Sequence, residues 1–178
     1  MKKKINMGCG KRNFGKEWIH IDLVDLPHID CKDIFNFPYD ELELIYASHL
    51  IEYFDRTEVV GLLNYWKSKL KVNGILRLAV PNFEVISSLY NQNKYDLDSF
   101  LGPLYGRMDL NGKYIFHKTT YDFKSIKRLL EDVGFKEIRY WNHFEVDHGK
   151  YDDHSQAYLP HMDKENGTLI SLNVECKK

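Results

Sequence analysis

The chain has 178 residues, is 43% hydrophobic and 29% charged, and carries a formal net charge of −1. That length bounds it to one domain with room for a full core. The balanced charge excludes general binding to nucleic acid or to an anionic membrane surface. Cys9, Cys31 and Cys176 lie far apart with no C-x-x-C spacing, so they give neither a disulfide framework nor a thiolate metal site and suit reduced thiols in the cytoplasm. The basic start is not followed by an apolar run, so no secretory signal is expected, and no stretch is apolar enough to span a membrane.

The first predicted strand covers residues 4–7 and runs straight into a Gly-x-Gly turn, Gly8-Cys9-Gly10. Glycine lets the backbone turn tightly and lets a ligand lie against it. Ligands of open α/β sheets bind beyond the carboxyl ends of strands. The turn alone is a weak signal. It gains weight because Asp22 ends the next strand-like run, residues 18–22, and Asp33 ends the one after, residues 29–33. The links between these three strands are too short for the helix that a parallel crossover normally carries.

The strands alternate rather than reading as continuous apolar runs. Ile19 and Ile21 flank His20. In the last strand, residues 169–176, Ile170, Leu172, Val174 and Cys176 take one face and Ser171, Asn173 and Glu175 the other. Period-two alternation predicts one well-packed face and one thinly covered face, left to loops, water or a second subunit. Residues 42–47 form the fourth strand. Residues 56–70 are an amphipathic helix, capped by Asp55 or Thr57 and ended by Asn73-Gly74. Residues 75–80 are the fifth strand, and Asn82 caps a helix reaching about Tyr90. An irregular insertion fills 91–120. A helix over 121–133 ends at Gly134, a sixth strand covers 135–141, and a long His-rich loop spans 142–166 before an antiparallel seventh strand.

This order of elements, with these motifs, resembles the class I S-adenosylmethionine-dependent methyltransferases over nearly the whole chain. It is closest to the small members with shortened N-terminal crossovers. Asn6-Met7-Gly8-Cys9-Gly10 is similar to the family's glycine motif, Asp22 to the acidic residue ending its second strand, and Asp33-Ile34 to the pair after its third. The run from Leu44 to Phe54, with His49 and Glu52, is similar to the fourth-strand motif, and Leu70-Lys71-Val72-Asn73-Gly74 to the turn before the fifth strand. The resemblance implies a single domain over 1–178. Its α/β, Rossmann-like sheet would have seven strands, the last antiparallel, with the first crossover helices missing. It also implies S-adenosyl-L-methionine as cofactor, bordered by Asn6, Met7, Gly8, Cys9, Gly10, Asp22, Leu23, Asp33, Ile34, Ala47, Ser48 and His49. Asp22 would take the ribose hydroxyls and Asp33 the adenine amino group. Asn6 stands where the family often has an acid, and Tyr53 where it often has a second His.

Methyl transfer needs an aligned nucleophile, with a general base when the acceptor is a hydroxyl. His49, His117, His154 and Asp152 are the candidates, weighed against structural roles for each. A metal reading of the His/Asp loop is the minority view, and no metal is expected. The expected activity is methylation of a small polar acceptor, a sugar or another hydroxyl-bearing metabolite. The alternative is a non-catalytic binder of S-adenosylmethionine or S-adenosylhomocysteine, or a subunit of a larger complex. The uncovered sheet face suggests a homodimer. A nicotinamide oxidoreductase is disfavoured, because the third glycine of G-x-G-x-x-G is missing.

Overall fold

The computed structural model describes residues 3–110 and 112–178. Strands β1 (Lys4–Met7), β2 (Trp18–Ile21) and β3 (Leu42–Ser48) lead to helix α1 (Glu58–Lys69) and strand β4 (Leu70–Pro81). Helices α2 (Phe83–Asn91) and α3 (Asp98–Tyr105) follow, then a hairpin of β5 (Met108–Leu110) and β6 (Lys113–Ile115). Helix α4 (Phe123–Val133) and β7 (Lys136–Tyr140) come next, then the short pair β8 (Tyr158–Leu159) and β9 (Thr168–Leu169), and finally β10 (Ser171–Lys177). The main sheet has six strands in the order β2-β1-β3-β4-β10-β7. The first four are parallel, and β10 runs antiparallel to both its neighbours.

The sequence predicts seven strands, and the missing one is residues 29–33. Only a single parallel bridge, Ile21 to Cys31, survives there. Side-chain carboxylates take backbone amides at both ends of this segment. Asp30 accepts from the His20 amide at 2.8 Å, and Asp33 accepts from the amides of Phe35 and Asn36 at 2.8 and 2.9 Å. The Asp33 bonds are local, the Asp30 bond takes an amide of β2, and both compete with a strand ladder.

Two further expectations change. Asn73-Gly74 does not end α1, because β4 starts at Leu70 as soon as the helix stops. Asn73, with φ of 61°, instead sits in the irregularity where Leu42 pairs with Leu70 but Leu44 pairs with Ile75. The insertion at 91–120 is not irregular throughout; it contains α3 and the β5–β6 hairpin.

One face of the sheet packs on α1 and α4. Ile5, Met7, Ile21, Ile45, Leu78 and Val174 are fully buried there against Leu62, Leu63, Trp66, Ile126 and Leu130. Asp122 caps α4 reciprocally with Ser125, and Gly134 closes it at φ of 87°. The Asp55 carboxylate, rather than Thr57, accepts the first amides of α1.

The other face is covered by the chain's own loops. Phe14, from the first crossover, stacks on Tyr151 at 4.8 Å and on His148 at 5.6 Å, while Tyr46 and Trp141 pack beneath. Tyr151 donates to the Phe14 carbonyl, and Arg12 to that of Asp152. Ser171, Asn173 and Glu175 are therefore buried, and each finds a partner. Asn173 donates to Ser155 O, and Glu175 is clasped by Arg77 and Arg139. The alternation in β10 marks a polar interior, not an exposed face.

Candidate functional site

The glycine turn is built by strand β1 ending one residue before it. Gly8 (φ 66°) donates its amide to Ile21 O at 2.7 Å, which brings the turn over the end of β2. Gly10 (φ 53°) donates its amide to Asp22 Oδ2 at 2.7 Å, and Val24 donates to Asp22 Oδ1 at 3.1 Å. A carboxylate has about four acceptor positions, so Asp22 braces the turn and keeps capacity for a ligand. A Cβ added to Gly10 would meet nothing within 4 Å, whereas one on Gly8 would lie 2.9 Å from a Leu50 methyl. The space in front of Gly10 is open.

Other predicted cofactor residues divide. Leu23 is exposed and follows Asp22 in sequence, while the side chains of Met7 and Ala47 are buried in the core. Cys9 is buried beside Gly10, and burial followed by the Asp22 charge pushes its thiol up to about 12. It stays protonated and is no nucleophile. Asn6 is buried, and its Nδ2 has no hydrogen-bond partner. Asp33 is exposed, with one oxygen capping its own turn. Ile34 points into the helix-side core, and its neighbour Phe35 is the exposed ring, edge-on to Phe54 at 5.6 Å. Sequence reasoning missed His28. Its Nε2–H donates to Gly10 O at 3.0 Å from the collapsed crossover, a contact that no local motif announces.

A second cluster forms where β3 ends. Ser48 ends the strand, and His49 beyond it takes the unusual φ of 51° with its amide donating to Ala79 O. Its ring lies 5.3 Å from that of His154. Its Nδ1 is 3.5 Å from Glu52 Oε1, and His117 Nε2 is 3.8 Å from the same oxygen. Glu52 is fully buried and neither carboxyl oxygen has a hydrogen-bond partner; burial pushes it up to about 8. Burial lowers His49 and His117, and desolvation with the Arg12 guanidinium lowers His154, so all three rings are neutral near pH 7.

The structure thus brings together His49, His117 and His154. It places Asp152 apart, exposed and paired with Lys164 at 3.1 Å. The buried neighbour is Asp153, which accepts from Tyr46 Oη at 2.7 Å and from the Ser155 amide at 2.8 Å. The His49-x-x-Glu52 spacing is visible in the sequence, whereas the burial of Glu52 is not. Among the described residues, no group of three or more His, Cys, Asp or Glu is placed to hold a metal ion. Among them, too, no helix is long and apolar enough to cross a membrane.

No protein-family model matches the sequence, and no curated protein matches it. Solved structures do. A SAM-dependent methyltransferase from Archaeoglobus fulgidus is similar with a TM-score of 0.58 at 16% identity, covering 98% of this chain and 85% of that one. A SAM-dependent methyltransferase from Methanosarcina mazei gives 0.56 at 13% identity, covering 98% and 91%. The 1,6-didemethyltoxoflavin-N1-methyltransferase of Burkholderia thailandensis, solved with S-adenosylhomocysteine, gives 0.55 at 9% identity, covering 98% and 70%. The chain has the mixed α/β, Rossmann-like fold of the S-adenosylmethionine-dependent methyltransferases, with six strands in its main sheet.

Proposed function

We propose that the protein is an S-adenosylmethionine-dependent methyltransferase acting on a small polar acceptor. One observation carries this reading: Asp22, at the end of β2, holds the Gly10 amide at the edge of open space. The residues fit the cofactor. Gly10 offers a bare backbone, Asp22 keeps acceptor capacity for a diol, Leu23 offers an apolar surface, and Asn6 holds an unused donor. When bound, S-adenosylmethionine supplies an electrophilic methyl group.

The remaining work falls to the chain. Asp22 and the glycine turn orient the cofactor. His154 is the surface-exposed imidazole of the cluster, and its lowered pKa leaves a ring nitrogen free to accept the proton of an acceptor hydroxyl. His49 is bonded to Ser171 on one side, faces Glu52 on the other, and shapes the floor. The acceptor we favour is a sugar or another hydroxyl-bearing metabolite, in keeping with the His-, Asp- and Tyr-rich mouth. Asp33, Ile34, Ala47 and Ser48 border the cofactor in this reading, with Phe35 as a further candidate for the adenine face.

One observation favours the runner-up, a protein that binds the cofactor without turnover: both His49 nitrogens face protein partners. Calorimetric titration with S-adenosylmethionine and S-adenosylhomocysteine tests binding. Incubation with methyl-labelled cofactor and a panel of sugars then separates enzyme from binder. Saturable binding without transfer to any small molecule would favour the binder, and absence of binding would sink both. A homodimer would need a surface other than the loop-covered sheet face, and light scattering decides it. Unpaired cysteines suit a cytoplasmic setting for this activity.

A further inference from the structure

The Glu52 cluster contains a proton problem that its hydrogen bonds define. His117 Nδ1 lies 3.1 Å from the Pro103 carbonyl, which can only accept, so the neutral ring carries its proton on Nδ1 and turns a bare Nε2 toward Glu52. Asn173 Nδ2 donates to Ser155 O, so Asn173 Oδ1 accepts from Ser171 Oγ at 2.9 Å. That hydroxyl, having given its proton away, accepts from His49 Nε2 at 3.3 Å. His49 therefore also turns a bare nitrogen, Nδ1, toward Glu52. Two lone pairs converge on Glu52 Oε1, at 3.5 and 3.8 Å, in a place where the carboxyl is fully buried and bonded to nothing.

An ionised carboxylate facing two lone pairs would be repelled by both and would have lost its hydration. A neutral carboxylic acid has one proton to give, and a small rotation brings either ring within its reach. We infer that Glu52 is a positioning residue: as a neutral acid it donates its proton to His117, the ring contributed by the insertion at 91–120, and so fastens that insertion to the catalytic edge at the end of β3. The insertion's stem is already tied there through the backbone. The amides of Lys118 and Thr119 donate to Glu52 O at 2.8 and 3.3 Å, and Tyr53 Oη donates to Gly106 O at 2.7 Å. The His117 ring occupies the space a Cβ on Gly106 would need. The carboxyl proton adds a fastening that titrates.

The other titratable groups around Glu52 are Tyr53 from its own turn and Tyr121 from the start of α4. Both hydroxyls are pushed up by burial first and then by the Glu52 charge, so both stay neutral. Beyond His49 lie His154 and Arg12, which lower it further. None of these supplies a hydrogen bond to the Glu52 oxygens, and burial pushes the carboxyl up to about 8.

The test uses the whole chain without cofactor, so its result is independent of whether methyl transfer is the activity; the word catalytic alone rests on that reading. Infrared difference spectra of wild type against Glu52→Gln should show a buried carboxylic-acid carbonyl band one pH unit below 8, lost one pH unit above it. Over the same interval, amide exchange in α3 and the β5–β6 hairpin, corrected for intrinsic rate, should lose about tenfold in protection, the worth of one hydrogen bond. Glu52→Gln keeps a neutral donor and should hold full protection across the interval. Should that variant not fold, His117→Phe should show reduced protection at both pH values and no step. An absent acid band in wild type, a protection that ignores pH, or the same step in Glu52→Gln would each overturn the inference.

Discussion

Asp22 has two roles that a single substitution separates from those of its neighbours. It accepts the Gly10 amide, which fixes the turn, and in the proposed reading its remaining acceptor capacity takes the cofactor. Asp22→Ala removes both, and cofactor affinity should fall about 10- to 100-fold, the range of one or two hydrogen bonds to a charged group. Calorimetric titration reads this, and wild-type affinity in the variant would remove Asp22 from the site. Gly8→Ala should weaken binding by a different route, through backbone strain at φ of 66° and collision with Leu50. The contact between Gly10 and Asp22 was legible in the sequence because strand, turn and acid sit at fixed short spacing. Glu52 was not. Its spacing from His49 shows, but whether a glutamate after a strand is solvated or buried depends on His117, 65 positions later in the chain (117 − 52), and on the fold of the insertion between them.

The loop at 142–166 shows how an element can be foreseen as present and missed as architecture. Its length and residue types predicted a functional mouth. In the structure its first half is largely a cover for the sheet, with His148 wedged between Phe14 and Tyr46 and held neutral, its pKa pushed down to about 3 by burial and by Arg77. Stacking partners so distant in sequence leave no periodic trace. Two adjacent acids in this loop should behave oppositely. Asp153→Ala leaves the buried Tyr46 hydroxyl and Ser155 amide without their acceptor and should cost about 1–3 kcal/mol in chemical denaturation. Asp152→Ala removes only an exposed pair to Lys164 and should leave stability unchanged. Equal losses from the two would mean that the loop is not docked through Asp153. The lost third strand has the same logic in reverse: the alternation at 29–33 was real, but the Asp33 side chain bonds amides locally, that of Asp30 takes the His20 amide of β2, and one bridge is left.

Across the molecule, the buried histidines and Glu52 pull stability in opposite directions with pH, and their windows can be ordered. His148 and His49 have folded pKa values depressed below 6.5, so the unfolded chain takes up protons first on acidification. Their contribution is lost as pH falls and restored as pH rises to about 6.5. Glu52 is the reverse. Raised from 4.5 to about 8, it holds in the folded state a proton that the unfolded chain has released, so stability falls as pH rises through that interval. Below about 6.5 at least two histidines outweigh one glutamate, and above it Glu52 acts alone until its own pKa is passed. The melting temperature should therefore peak near pH 6.5 and decline toward pH 8. Glu52→Gln should abolish the decline and leave the acidic limb intact, because the glutamine is neutral in both states. Thermal melts of the two proteins across pH would show it: a flat wild-type profile between 6.5 and 8 would place the Glu52 carboxyl in contact with water or a cation, whereas a decline that survives in the glutamine variant would assign the titration to another group.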